Sequence, residues 1–562
     1  MGVSMRRRCS SLFRLAIDPT GFTMPRFSPM AFFPSRTALY ELSRNRSVLI
    51  RTAVVIALIS IGAALVIDRV RGDQKSMENI MGSGFLDLKS LFEAKGQIEM
   101  VEQSGHALAG LSPNERVSPD AIGVQETTFN LIQNIDVSEP ERVVLRHFID
   151  LCATLPPDAS GLAANQAWQD LDTTCQTDSA SESARARAHI CSAEVLRMLN
   201  EEKRAIRLLE EGRDRCPDSV SLTRRMIAFA RHAKDRSTLR SILNDPRTET
   251  QLEPIEMTRL AVDSHAYGPL FVHSLRQQWE ALNPVMLVLS TIACGIWFCI
   301  ILQTGRGWKH WPLMVVAVVL GALSTIVALY GVLVHEHMHG FKETGQLGRD
   351  LIFWIAGVGL REELAKLLLF LPLLPWLIRR GTQLDALLAA SCVGLGFALE
   401  ENVGYFVRET ANNSWGRFLT ANFVHLALTG IVGHAVWAAI KDWRRQWENA
   451  LTDLLAAVIA HGLYDAFAAI PALAKDYSIG SLFVLAYISY RYFSLLSQAR
   501  GVGRSTIAPL GIFCVGCALL LGIALNQFLW EIPFADGFSS FGRMVIGIFP
   551  VAFLFIRQFR DA

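Results

Sequence analysis

Hydrophobic and polar positions divide the chain into a polar, basic start, one apolar run, a long polar stretch and then a dense series of apolar runs. The first run covers roughly Thr52 to Ile67. Nine more follow, at about Pro284–Gln303, Pro312–Val334, Leu351–Ile378, Leu384–Phe406, Phe418–Ile440, Leu451–Leu473, Ile479–Leu496, Ile507–Trp530 and Met544–Ile556. A helix crosses a bilayer with about 20 mostly apolar residues. From Arg71 to Asn283 no stretch is long and apolar enough to do so. There the spacing is instead that of amphipathic helices: between Ala184 and Gly212 the apolar residues Ala188, Val195, Leu199, Ala205, Ile206, Leu208 and Leu209 fall at helical intervals. The pattern predicts an all-α protein, a polytopic helical membrane bundle of about ten transmembrane helices with an inserted, mostly helical domain.

Four segments follow from this: residues 1–51, a basic start; 52–67, a signal-anchor helix; 68–283, the helical domain; and 284–562, the multi-span membrane domain. Lys and Arg placement sets orientation, because cytoplasmic loops carry the positive excess. Arg6, Arg7, Arg8, Arg14, Arg26, Arg36, Arg44, Arg46 and Arg51 precede the first run. Threading from a cytoplasmic start puts Arg306, Lys309, Arg379, Arg380, Lys441, Arg444, Arg445, Arg500, Arg504, Arg557 and Arg560 on the inner side as well. The expectation is a bacterial inner-membrane protein with both termini cytoplasmic and residues 68–283 extracytoplasmic. A cleaved signal peptide is the competing reading of the first run; its basic region would be unusually long, and Asp68-Arg69-Val70-Arg71 lacks small residues for cleavage. Met24 and Met30 are alternative starts.

Composition agrees with a membrane protein: of 562 residues, 51% are hydrophobic and 19% charged, and the mean hydropathy is +0.28. A net charge of +2 argues neither for nucleic acid nor for an acidic partner, and with no zinc-finger spacing and no basic patch beyond the cytoplasmic tail nothing reads as a nucleic-acid module; the apolar runs make the lipid bilayer the partner. Cys152, Cys175, Cys191 and Cys216 permit two disulfides in the helical domain, or are ordinary buried thiols. Cys514 and Cys517 lie inside an apolar run and read as packing residues.

Ionisable residues inside membrane spans are costly and mark function by default. Here they gather in four consecutive runs: Arg361-Glu362-Glu363-Leu364-Ala365-Lys366, then Phe397 through Glu401 to Tyr405, then His425 and Gly433-His434, then His461 through Asp465. Glu362 and Lys366, Glu401 and Tyr405, and His461 and Asp465 are each four apart and share a helix face. Two imidazoles with carboxylates from adjacent helices can surround a zinc ion. The same set suits a proton relay in a transporter or channel, or a structural polar cluster; no internal repeat of the kind common in transporters is visible. Separately, His335-Glu336-His337-Met338-His339 matches HExxH, the helical zinc-protease signature, which makes a second metal-site candidate centred on His335–His339.

The ordered set EExxK (Glu362, Glu363, Lys366), FxxxExxxY (Phe397, Glu401, Tyr405), GH (His434) and HxxxD (His461, Asp465) resembles the PrsW family of intramembrane metalloproteases, distant relatives of the CAAX-processing and bacteriocin-processing proteases. The resemblance covers roughly Leu351 to Ala469, inside a core of residues 351–473. It implies peptide-bond hydrolysis in or near the membrane. It makes Glu362 the general base, leaves Glu363 or Glu362 to pair with Lys366, and gives Glu401, His434, His461 and Asp465 the binding of a metal, inferred as zinc, or the orientation of water. Tyr405 is a candidate oxyanion donor or an interfacial anchor. The family also implies a membrane-anchored protein substrate, such as an anti-sigma factor, and a role in envelope signalling; an inactive, protease-like scaffold is the alternative. In the helical domain, Ala205 through Pro217 faintly resembles the second helix of a tetratricopeptide repeat, without a second copy at the expected period.

Overall fold

The computed structural model describes residues 36–78, 85–109, 118–154, 181–280, 284–305, 307–408, 414–499, 507–531 and 534–560, with single residues at 111, 115 and 282. Among these residues every regular element is helical. Nine of the helices are long and apolar enough to cross a membrane. The first is α1 (Arg46–Glu78). A shorter helix, α2 (Tyr267–Glu280), ends the helical domain just before α3 (Pro284–Gly305) and α4 (Trp311–Val332).

The run expected as one span over Leu351–Ile378 is instead assembled from pieces. An α-helical turn at Leu347–Ile352 passes into a π segment at Phe353–Gly359, then α5 (Leu360–Phe370), a 3-10 turn at Leu371–Leu373 and a last helix at Leu374–Arg380. Pro372 and Pro375 lack the N–H that a continuous helix needs, which accounts for the second break. Single π turns inside helices are frequent at functional sites. Here the π turn stands directly before Glu362 and Glu363.

The bundle continues with α6 (Gln383–Arg408), the short α7 (Ser414–Leu419), α8 (Ala421–Lys441), α9 (Trp443–Ala469), α10 (Ile479–Ala499), α11 (Pro509–Glu531) and α12 (Phe534–Arg560). Helix α6 is its axis, with Ala386 through Leu395 almost without exposed surface, packed against α3, α4 and α8. Small residues allow this, since helices in lipid associate through close packing. A Cβ on Gly394 would collide with the His425 carbonyl of α8, and one on Gly396 with the Val318 carbonyl of α4. Trp297 of α3, fully buried, donates from its indole N–H to the Phe418 carbonyl at 2.7 Å and meets the rings of Phe423, Phe513 and Phe555, tying α7, α8, α11 and α12 to α3.

In the helical domain the expected run from Ala184 to Gly212 is two helices, Glu182–Met198 and Glu202–Arg215. Asn200 separates them at φ 60°, a left-handed turn that asparagine tolerates better than most residues. Lys234 and His265 take the same conformation between Val220–His232 and Arg236–Asn244, and between Pro254–Asp263 and α2. Three helix hairpins thus follow in tandem, their turn residues 34 and 31 positions apart (234 − 200 and 265 − 234). The faint repeat signal in the sequence has this counterpart in shape. Cys191 and Cys216 are buried free thiols in two different apolar clusters, and Cys175 lies outside the described residues.

Candidate active site

The polar residues of the four consecutive runs meet between α5, α6, α8 and α9. Close approach of α9 to the π segment makes this possible. A Cβ on Gly359 would stand 2.6 Å from the Val458 carbonyl, and one on Gly462 would stand 2.5 Å from Ile355 Cα. The two glycines bring the stretch before Glu362 against His461.

Lys366 is fully buried and organises the cluster. Its Nζ donates to Glu363 Oε1 at 2.8 Å and to His425 Nδ1 at 2.8 Å, with Glu362 Oε2 at 3.5 Å and the Phe397 ring centroid at 4.1 Å. Glu363 is therefore the closer carboxylate partner of Lys366, a pairing the sequence leaves open. Glu363 Oε1 also accepts from His461 Nδ1 at 2.8 Å, which turns Nε2 of that ring away, towards Glu362 Oε2 at 3.5 Å and Asp465 Oδ2 at 3.3 Å. A histidine whose second nitrogen donates to a carboxylate has the arrangement of a metal ligand.

The other half of the cluster centres on His425. Lysine only donates, so Nδ1 accepts, and Nε2 carries the proton towards Glu401 Oε2 at 2.9 Å. Arg417 of α7 holds the same Glu401 oxygen at 2.7 Å, donates to Asn402 at 2.8 Å, and lies 3.6 Å over the Tyr405 ring. Burial falls off in this direction: the side chains of His461 and Glu363 are 1% exposed, that of Glu401 22% and that of Asp465 28%.

Glu362, His425 and His461 each bring a potential ligand atom to within 4.8 Å of the others, the one such group among the described residues. Glu362 Oε2 is buried without a hydrogen-bond partner. It and Asp465 Oδ2 both face His461 Nε2, so three atoms able to offer lone pairs converge on one point. Lys366 Nζ offsets part of the charge from 3.5 Å, and the donor set of imidazoles and carboxylates fits a metal of the zinc type.

Not all the expected residues come together. Glu362, Glu363, Lys366, Glu401, His461 and Asp465 do, and Tyr405 joins through Arg417. His434 does not: it lies nine residues beyond His425 on α8, about 13 Å along the axis, with Asp453 as its charged neighbour. His425 takes the place in the cluster. Arg417 and Asn402 are further members, for which sequence spacing carries no signal. The HExxH stretch forms a π segment, Leu333–Met338, in which the His339 N–H bonds back five residues to Val334. The i, i+4 face that would pair His335 with His339 exists only in an α-helix. Glu336 is held instead by Arg361, at 3.2 Å.

Residues 309–491 match the model of the PrsW family intramembrane metalloprotease. This part of the chain is similar to the PrsW family. The PrsW match begins just before α4 and ends inside α10, so it takes in the whole cluster and two helices beyond the motif-bearing stretch. The helical domain, α1, α3, α11 and α12 lie outside it. The similarity supports a multi-pass membrane peptidase in class, and the metal in the family's description agrees with the Glu362, His425 and His461 group. No curated protein and no solved structure matches the chain.

Proposed function

We propose that the protein is a metal-dependent endopeptidase of the bacterial inner membrane, cleaving a membrane-anchored protein on the side of the cluster where Asp465 and Glu401 are least buried. The observation that carries this reading is the unpartnered Glu362 Oε2 beside His461, with His425 within reach of both. Glu362 and His461 would hold the metal, zinc by donor type, with His425 completing the set once its Nε2 gives up the proton it directs at Glu401; this moves Glu362 from the expected base into the ligand set. When bound, such a metal lowers the pKa of water to about 7 and polarises the scissile carbonyl.

The chain's own residues supply the rest. Glu363 accepts from His461 Nδ1 and fixes which nitrogen faces the metal position. Lys366 neutralises Glu363 and fixes His425. Asp465 takes the proton from the attacking water and returns it to the leaving amine, since its Oδ2 lies beside His461 Nε2 and its side chain is the most exposed of the cluster's carboxylates. Arg417 and Tyr405, on the same side, are the donors nearest to a developing oxyanion. The substrate class carried by the family resemblance is a membrane-anchored regulator such as an anti-sigma factor, within envelope signalling.

The test separates ligand from base. Glu362→Gln should lose both zinc, measured by metal analysis of the purified protein, and cleavage. Asp465→Asn should keep zinc and lose cleavage by 10²-fold or more, the usual scale for a general base. Wild-type turnover in Glu362→Gln would end the reading.

A further inference from the structure

One polar tie joins the helical domain to the membrane bundle, a second lies inside the bundle where that domain packs on it, and each ends one residue before a carboxylate of the cluster. Gln278 of α2 donates from Nε2 to Glu400 Oε1 at 2.5 Å and to Thr325 Oγ1 at 3.3 Å. Glu401 follows Glu400. On the other side, Glu336 faces Arg361 at 3.2 Å, and Glu362 follows Arg361.

The Glu336 tie is anchored in the helical domain itself. Met338, in the same π segment, is a buried member of that domain's apolar cluster with Leu260 and Leu270. Tyr330, about two turns earlier, packs edge-on against Phe271 of α2 at 5.7 Å. The Arg361 stem crosses α4 at Gly331, where a Cβ would stand 2.7 Å from its Cδ. The side chain is only 8% exposed, and neither its Nε nor the Nη1 that faces Glu336 makes a hydrogen bond, so the contact with Glu336 is an ion pair by proximity alone. A buried guanidinium with incomplete pairing is costly, yet neither the Lys366 network nor the proposed chemistry uses it.

We propose that the helical domain is a positioning element of the metal site. It holds α6 through Gln278–Glu400 and α5 through Glu336–Arg361, and so sets the separation of Glu401 and Glu362. Adjacent residues on a helix are 1.5 Å apart along a rigid backbone, so a shift at Glu400 or Arg361 reaches the neighbouring carboxylate undiminished. Metal sites tolerate only about 0.5 Å of such displacement. Gln278 and Arg361 are positioning residues in this scheme and touch no reacting atom. The inference rests on the metal-site reading above.

The test is a Co(II) titration of the full chain in detergent, followed by the visible absorption of the bound ion, which reports site geometry directly. Gln278→Leu and Arg361→Met should each weaken Co(II) about three- to tenfold, less than the 10–100-fold typical of a direct outer-shell partner, and should shift the absorption band. Arg361→Lys should recover part of the loss. Gly331→Ala, which only crowds the Arg361 stem, should give the same band shift and serves if Arg361→Met does not fold. Wild-type affinity and spectrum in Gln278→Leu and in the Arg361 or Gly331 variant, with Co(II) binding lost in Glu362→Gln, would overturn the positioning role and leave the metal site standing. No Co(II) binding by the wild-type chain would overturn the metal reading, and this proposal with it.

Discussion

Lys366 has no exposed surface, and its charge is offset by Glu363 at 2.8 Å, by Glu362 at 3.5 Å and by the Phe397 ring. Removing one member of a buried pair leaves the other uncompensated, at about 3–5 kcal/mol. Lys366→Met should therefore lower stability by that order in thermal unfolding in detergent, and adding Glu363→Gln should restore part of it, because the two residues act as one unit. A double variant no more stable than Lys366→Met would show that Glu363 does not depend on Lys366. At this scale the sequence was a good guide where spacing places two groups on one helix, as for Glu362 with Lys366 and His461 with Asp465. It put His434 in the ligand set where the structure brings in His425, since both lie on α8 and the choice depends on depth against α5 and α9. Arg417 was out of reach altogether. It comes from a short helix, α7, and enters the cluster only because α7 packs across α6.

At the scale of elements, the site depends on backbones that approach closely. Gly462 of α9 faces Trp354 and Ile355 of the π segment, with backbone rather than side-chain atoms in the way of any Cβ. Backbone cannot move aside as a flexible side chain can. Gly462→Val should push α9 away from α5, break the 2.8 Å contact between His461 and Glu363, and abolish metal binding while the protein still inserts; intact metal binding in this variant would refute the packing argument. The broken span follows the same logic. Hydropathy registers Leu351–Ile378 as one apolar run, because it averages over residues and is blind to the hydrogen-bond pattern that a π turn and two prolines change. For the HExxH alternative the mismatch runs the other way: the motif presumes an α-helical face that the π segment at Leu333–Met338 does not provide.

Across the whole molecule, two halves of different character meet at α2, α4 and the π segment after it. If charge placement orients the bundle as expected, reporter fusions after Asp73 and Gly340 should read as outside and fusions after Arg380 and Arg445 as inside; the reverse pattern would turn the open side of the site to the other compartment. The helical domain carries its own buried charge network, in which Glu194 meets Arg225 at 2.5 Å and Arg197 at 3.0 Å. Burial alone would raise the Glu194 carboxyl, but the hydrogen bond from His106 and the charges of Arg225 and Arg197 outweigh it and hold the group below the ordinary glutamate range. A depressed folded-state value means that the unfolded chain binds the proton more readily, so the contribution is complete above the ordinary range and is lost as pH falls through the folded value. Unfolding temperature should thus drop on acidification below that range, and Glu194→Gln should flatten the drop; an unchanged acid limb in the variant would place the effect elsewhere. The sequence by itself determined the all-helical class, the apolar spans, the long insertion between the first two and the ordered acids and histidines, because each is a property of composition or of spacing along one helix. Only the tertiary structure decided which carboxylate pairs with Lys366, that His425 and not His434 enters the cluster, that HExxH is tied up by Arg361, and that the helical domain reaches Glu400. Each of these depends on how separate helices are rotated and set in depth against one another, and in a membrane that is fixed by close packing between helices, which the hydropathy of any one of them does not encode.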